Sequence, residues 1–250
     1  MNELTTPKLP RRLGYATLFL LIITAAALLI AGPAYRMGIL DVRTALMVLM
    51  VSVVGGLLCF VVGLIASALN LRKGTQGMVA LSVLATLIGL ALTLNNLSWF
   101  NKARGVPPIH DISTDTVNPP AFVAVAPLRA DAPNPVEYAG AETAEKQIEG
   151  YPDLATVRVA AEPAAVFEAS VQAAKDLGWE MVAEAASEGR IEATDTTSYF
   201  GFKDDVVIRI RADAMGTAVD VRSKSRVGLG DVGANADRIN AFLEEMQAQL

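Results

Sequence analysis

The sequence predicts two structural classes in one chain. A region of three membrane-spanning helices comes first, and an α+β two-layer domain of order β-α-β-β-β-β-α follows, with an antiparallel sheet carrying helices on one face. Three observations predict this. The first hundred residues hold three long apolar runs; a Pro-rich stretch then breaks all periodicity; beyond it, short segments of two-residue alternation lie between two helical patterns.

The run Leu13–Tyr35 has no charge and one proline near its end, the run from 42 to 69 carries only Arg43, and Gly77–Phe100 has none. Spans are therefore expected at about 13–35, 42–69 and 77–100 within a region 1–105, since a helix of roughly 20 apolar residues crosses the hydrocarbon of a bilayer. Lys8, Arg11 and Arg12 precede the first run in the manner of a signal peptide, but its length and the two further spans mark it as retained. Gly55, Gly56, Gly63 and Ser67 in the second run, with Ser82, Thr86 and Gly89 in the third, are small enough for close helix contact. Trp99 and Phe100 fall at the expected membrane boundary.

Short-loop Lys and Arg number five on the side of the N-terminus (Lys8, Arg11, Arg12, Arg72, Lys73) and four on the other (Arg36, Arg43, Lys102, Arg104). That bias favours a cytoplasmic N-terminus and a C-terminal domain outside the cytoplasm. The sole cysteine, Cys59, lies within a span, so no disulfide links parts of this chain.

Residues 106–152 are a linker or surface arm. Pro107, Pro108, Pro119, Pro120, Pro133 and Pro135 exclude a long helix or central strand, whereas Ala141–Ile148 suits a short helix. The apolar Ile109, Ile112, Phe122 and Val125 favour an arm lying along a surface.

The domain proper is expected over 153–250. TVRVA reads as a strand. Ala161–Leu177 reads as a helix with Pro163 in its first turn, Phe167, Val171 and Ala174 on one face, and Gly178 as its stop. WEMVAEA, RIEATD, DVVIRIRAD and AVDVRS follow as strands, the last two joined by a Met215–Gly216 turn. Asn235–Leu250 closes the chain as a helix with Ile239, Phe242, Leu243 and Met246 as its stripe and Asn235 as its N-cap. Val206, Ile208 and Ile210 oppose Arg209 and Arg211, so one sheet face is apolar and helix-covered and the other is expected to be polar and solvated.

Beyond residue 105 the chain holds 24 acidic and 12 basic side chains. An acidic surface of that kind disfavours nucleic acid and anionic lipid headgroups as general partners. Against this background RSKSRVGLGDVGAN, from Arg222 to Asn235, gathers cations and glycines just before the last helix. Arg222, Arg226 and Arg238 are candidates to bracket a carboxylate or phosphate, helped by the N–H groups of the helix start and by Ser223, Ser225, Asp231 and Asn235. The alternative is that Arg226 pairs with Asp231 or Asp195 and pins the loop. Asp111, Asp115 and Asp205 complete the candidate set, as acids for a site lined by Asp and Arg. His110 with Asp111 and Asp115 falls short of a zinc ligand set, and capping of a turn by Asp111 or Asp115 accounts for those residues better. No cofactor is expected, since neither GxGxxG after a strand nor GxxxxGK[ST] occurs. The aromatics Tyr199, Phe200 and Phe202 suit a sheet edge or a contact patch.

HDISTDTVNPPAF, EGRIEATDTTSYFGFKDDVVIRIR and VDVRSKSRVGLGDVGANADRINAFL together make the sequence resemble the DUF1499 family, a domain of unknown function found in bacteria and in plastid-bearing organisms. The resemblance covers most of residues 109–246. It implies that Asp111, Thr114, Asp115, Pro119, Pro120, Asp205, Arg222, Ser223, Ser225, Arg226, Gly228, Asp231, Gly233, Asn235 and Arg238 occupy motif positions. It implies no catalytic role. The resulting expectation is a membrane-anchored binding or assembly module whose partners are the bilayer and an envelope protein or small anion. A hydrolase or transferase using Asp111, Asp115, Asp205 and Arg226 is the second reading. A channel, the third, lacks charge in the interior of the spans, Arg43 lying at the very start of the second.

Overall fold

The computed structural model describes residues 8–214 and 216–250, with Lys73 as backbone only. Three helices come first: α1 (Lys8–Arg36), α2 (Val42–Lys73) and α3 (Gln76–Gly105). All three are long and apolar enough to cross a membrane. Large apolar side chains such as Phe19, Leu29 and Leu64 point outward, while the buried positions are small or weakly polar. Gly55 packs on Thr24, Gly63 on Thr86, and Gly89 on the backbone of Cys59 and Phe60. Any side chain at Gly89 would run into that backbone, which is why the expected small residues sit at the helix contacts. Asn70 donates to the Pro10 carbonyl at 3.2 Å and to Ser82 Oγ at 3.1 Å, joining the three helices through one buried amide. Asp41 caps α2 by accepting from the Thr44 N–H at 3.0 Å.

The chain divides into two compact units. One comprises the three helices to Asn101 together with Tyr199–Gly201, and the other comprises Lys102–Ser198 and Phe202–Leu250. In the first, Phe200 lies edge-on to Tyr35 at 6.2 Å, which gives part of the aromatic triplet its packing.

The second unit holds an open antiparallel sheet. Its strands are β1 (Asp111–Ser113), β2 (Val157–Val159), β3 (Glu180–Ala185), β4 (Arg190–Thr196), β5 (Lys203–Asp213) and β6 (Gly216–Ser225). The order is β1-β6-β5-β4-β3, with β2 also on β6 beyond β1. β3 to β6 form the expected meander, and the arm adds β1, a strand the sequence reading did not include. The expected Met215–Gly216 turn includes Met215, which lies outside the described residues.

Helices α5 (Pro163–Asp176) and α6 (Ala234–Ala248) cover one face. Pro163 opens α5, and Gly178, at φ +77°, ends it in a conformation that L side chains rarely adopt. The core between helices and sheet is built from Val166, Phe167, Ile191, Ile208, Val221, Ile239 and Phe242. Trp179 stacks on Phe242 at 5.5 Å. Full burial of a side chain like Phe242 contributes about 1.5–3 kcal/mol.

The second face departs from expectation. The arm crosses part of it, so Glu192, Asp205, Arg222 and Lys224 are buried there, while Arg211 stays exposed as expected. Phe122 and Val125 pack there on Val207, and the charged residues of β4, β5 and β6 lie beneath. Their burial follows from the arm's own polar groups. Glu192 accepts from the N–H groups of Val123, Ala124 and Val125, at 3.0, 2.9 and 2.8 Å, just ahead of a 3-10 turn at Ala126–Arg129. At the sheet edge, Gln147 of α4 (Ala141–Gly150) accepts from the Ser113 N–H and donates to the Ser113 carbonyl, closing β1 as another strand would.

Candidate functional site

β-Strand alternation decides where the candidate residues go. Along β6, Arg222 and Lys224 point to the arm, while Ser223 and Ser225 point to α6. The sheet therefore splits the expected cluster into two groups.

On the arm side, Asp111 receives Arg222 in a two-pronged pair, Nε to Oδ1 at 2.8 Å and Nη2 to Oδ2 at 2.9 Å. Lys224 Nζ lies 3.0 Å from the same carboxylate and also donates to the Glu137 carbonyl. The Arg222 guanidinium lies over the Phe122 ring at 4.8 Å and the Tyr138 ring at 5.3 Å, and donates to the carbonyls of Pro120 and Val136. One strand over, Asp205 receives Arg226 through Nε and Nη2, each at 2.8 Å, Arg129 at 3.1 Å and Thr194 Oγ1 at 2.7 Å. Both carboxylates are completely buried. Arg226 thus pairs with Asp205, not with Asp231 or Asp195, because it lies past the end of β6 on the face that Asp205 occupies in β5.

Asp111 and Asp205 together face four cations: Arg129, Arg222, Lys224 and Arg226. The electrostatics show the imbalance. Burial lowers the pKa of Lys224, with Asp111 opposing and Arg222 and Arg129 adding to the effect. Burial likewise lowers Arg129, against the pull of Asp205. Tyr138, beside this group, is pushed up to about 12 by burial and by Asp111. Its hydroxyl and Arg129 Nε have no hydrogen-bond partner among the described residues.

On the α6 side, Ser223 Oγ donates to Asn235 Oδ1 at 2.6 Å, and Asn235 Nδ2 donates to Ser225 Oγ at 2.9 Å and the His110 carbonyl at 3.1 Å. Arg238 donates to Asn235 Oδ1 at 2.6 Å, Asp195 at 2.8 Å and Asp204 at 2.7 Å. Burial raises the pKa of Asp204, and Arg238 opposes that rise. Arg238 is thus on the other side of the sheet from Arg222 and Arg226, and the three do not bracket one anion. Asn235 is not the N-cap. It lies inside α6 with its amide turned to β6, and Gly233, at φ +83°, takes the cap position. The helix-start N–H groups that suggested an anion site are occupied from within, since Asp231 accepts from Gly233 and Asn235, both at 2.8 Å.

Asp115 belongs to neither group. It accepts from the N–H groups of Val117 and Asn118 at 3.1 and 2.8 Å, capping a turn as expected, and pairs with Arg209 at 2.9 Å. Asp111 makes no such cap, being held by Arg222 and Lys224. His110 Nδ1 is 3.4 Å from the Leu229 carbonyl. Sequence reading missed Glu192, Arg129 and Lys224 as members of the buried group. Glu192 between Ile191 and Ala193 was the available signal, because a carboxylate on the sheet's second face needs donors from whatever covers it.

The pairings join the arm to β5 and β6 and the loop to α6, so the motif residues hold the domain's segments to one another. No curated protein matches this chain. The family described as protein of unknown function (DUF1499) matches residues 111–246, the stretch from the first residue of β1 into the last turns of α6. By that match, over more than half its length, the chain belongs to the DUF1499 family.

Proposed function

We propose that this protein is a membrane-anchored binding or assembly module of the bacterial inner membrane, with the sheet domain outside the cytoplasm and no chemistry of its own. One observation carries the reading. The acids best suited to catalysis are buried and paired, Asp205 with Thr194, Arg129 and Arg226, and Asp111 with Arg222 and Lys224. A catalytic acid must reach substrate, and Asp111 and Asp205 face neither solvent nor an open position. With the candidate acids of the second sheet face under the arm, the loop from Arg226 to Asn235 is the surface left for a partner, and an envelope protein or lipid suits it better than a small anion.

A hydrolase or transferase using Asp111, Asp115, Asp205 and Arg226 is favoured by a different observation. The arm lies directly on the arginine segment, Asn134 N–H donating to the Arg226 carbonyl at 3.1 Å and Arg226 to the Leu128 carbonyl at 3.0 Å, with cations in excess of carboxylates. The two readings separate in one assay. Purified full-length protein is offered chromogenic phosphate, carboxylic and glycosidic esters. The binding module predicts the same background for the natural protein and for Asp205→Asn. Turnover lost in Asp205→Asn at a temperature where that variant is still folded by circular dichroism, and kept in Lys175→Ala, would establish the enzyme.

A further inference from the structure

The buried group under the arm holds more positive charge than its carboxylates balance. Lys224 has Asp111 opposite it in β1 and Asp205 opposite it in β5, so two acids flank one ammonium along a single row of the sheet. Arg222 joins this row at Asp111, while Arg129 and Arg226 join it at Asp205. Arg226 keeps 15% of its side chain in solvent, whereas the other three cations keep at most 3%. The fully enclosed set is therefore three cations, Arg129, Arg222 and Lys224, against two carboxylates. One positive charge is left over.

The carbonyl groups of the arm do not remove that surplus. Those of Pro120, Val136, Glu137 and Asn134 accept from Arg222, Lys224 and Arg129, but they bring dipoles and no net charge. A charge enclosed without a counter-charge is costly, because the water that would stabilise it has been removed. The donors left over belong to two residues that both adjoin Asp205. Arg129 gives Nη1 to Asp205 and Nη2 to the carbonyls of Asn134 and Ser225, but its Nε is buried and has no acceptor among the described residues. Lys224 has three N–H groups to place and meets two acceptors, the Asp111 carboxylate and the Glu137 carbonyl. Burial lowers the pKa of both residues, and Arg129 adds to the effect at Lys224.

Single N–H groups on two separate residues suit a monatomic anion, which accepts from any direction. A tetrahedral oxyanion needs donors for each of its oxygens, and water would accept from the same donors yet leave the charge. We propose that a chloride-sized monovalent anion is held under the arm between Arg129 Nε and Lys224 Nζ, as a resident part of the folded domain. It neutralises the surplus charge and is enclosed as the arm closes over the sheet. This site is distinct from the start of α6, whose N–H groups Asp231 already engages.

The test follows thermal unfolding of the full-length protein in detergent while sodium chloride replaces sodium gluconate at constant ionic strength. An ion bound only by the folded state adds stability in proportion to the logarithm of its concentration. Once the site is filled, each tenfold increase in chloride should raise the folding constant tenfold, the signature of one ion. Lys224→Met removes the surplus charge and leaves the Arg222–Asp111 pair, so its midpoint should not respond to chloride. Lys175→Ala, at the surface contact with Glu184, should respond as the natural protein does. Equal midpoints in chloride and gluconate overturn the proposal, as does an equal chloride response in Lys224→Met. A second measurement needs no variant. Crystals of the natural protein grown in sodium bromide should show an anomalous difference peak within hydrogen-bonding reach of Arg129 Nε, and peaks confined to exposed surfaces would refute the site.

Discussion

A buried carboxylate shared by two guanidinium groups is sensitive to loss of its charge. Among the described residues Asp205 is the one carboxylate in ion-pair contact with Arg129 and Arg226, and Asp205→Asn leaves both cations facing a neutral amide. Breaking a buried pair in this way costs about 3–5 kcal/mol. Lys175→Ala removes a surface contact to Glu184 and should cost less than about 1 kcal/mol. Thermal unfolding of the two full-length variants in detergent should therefore give a large fall in midpoint for Asp205→Asn and almost none for Lys175→Ala. Equal falls would mean that the buried group contributes nothing particular. Tyr138 gives a second residue-scale prediction, through pH. Its pKa rises from 10 in the unfolded chain to about 12 in the folded one. Below pH 10 the hydroxyl is protonated in both states and stability is unaffected. Between 10 and 12 only the unfolded chain releases the proton, so stability falls as pH rises. Because that hydroxyl has no partner among the described residues, Tyr138→Phe should change stability by only about 0–1 kcal/mol at pH 8. It should also lose less stability than the natural protein between pH 10 and 12. Parallel alkaline melting curves for the two proteins would contradict the assignment.

The arm has only short regular pieces, β1, a 3-10 turn and α4, and between the first two Glu192 holds it to the sheet. Glu192 gathers three successive backbone N–H groups, a carboxylate filling the donor-rich start of the 3-10 turn, and Arg190 pairs with the same carboxylate. Glu192→Gln keeps the size but loses the charge-assisted bonds, and turns an amide NH2 toward donors. Hydrogen exchange at Val123, Ala124 and Val125 should accelerate by at least tenfold, the equivalent of about 1.4 kcal/mol, while exchange in α5 stays as it was. Uniform acceleration would indicate global destabilisation and sink the local account. This element also marks where sequence legibility ends. Hydrophobic alternation in DVVIRIRAD and the stripe of α6 are local signals, and they predicted the strands and helices within a few residues. The pairing of β1 with β6 depends on contacts across more than a hundred residues, and three residues among prolines carry no period of their own. The polar sheet face likewise looked solvated because alternation reports which side is apolar, not what covers the other. For the candidate site, alternation already placed Arg222 and Ser223 on opposite faces. Neighbours in sequence along a strand lie on opposite faces, which is why the expected single cluster is split by the sheet.

At the scale of the molecule, orientation hangs on a narrow balance of charge. Five short-loop cations lie on the side of the N-terminus and four on the other, a margin of one, and such a margin sets direction weakly. If the N-terminus is cytoplasmic, odd-numbered crossing leaves the sheet domain outside. Folded domains often resist proteases, so access is better read by chemistry. A cysteine at Val117, which is almost wholly exposed, should react with a membrane-impermeant maleimide in intact spheroplasts of a bacterial host, in a Cys59→Ala background. Reaction only after lysis would reverse the orientation. The charge argument itself makes a sharper demand. Arg72→Ala with Lys73→Ala lowers the first side to three cations against four, and removes them from the loop between the second and third spans. The same assay should then find a fraction of the Val117→Cys chains unreactive until lysis. An unchanged, fully reactive population would mean that something other than loop charge, such as translocation of the folded domain's own sequence, holds the chain in place.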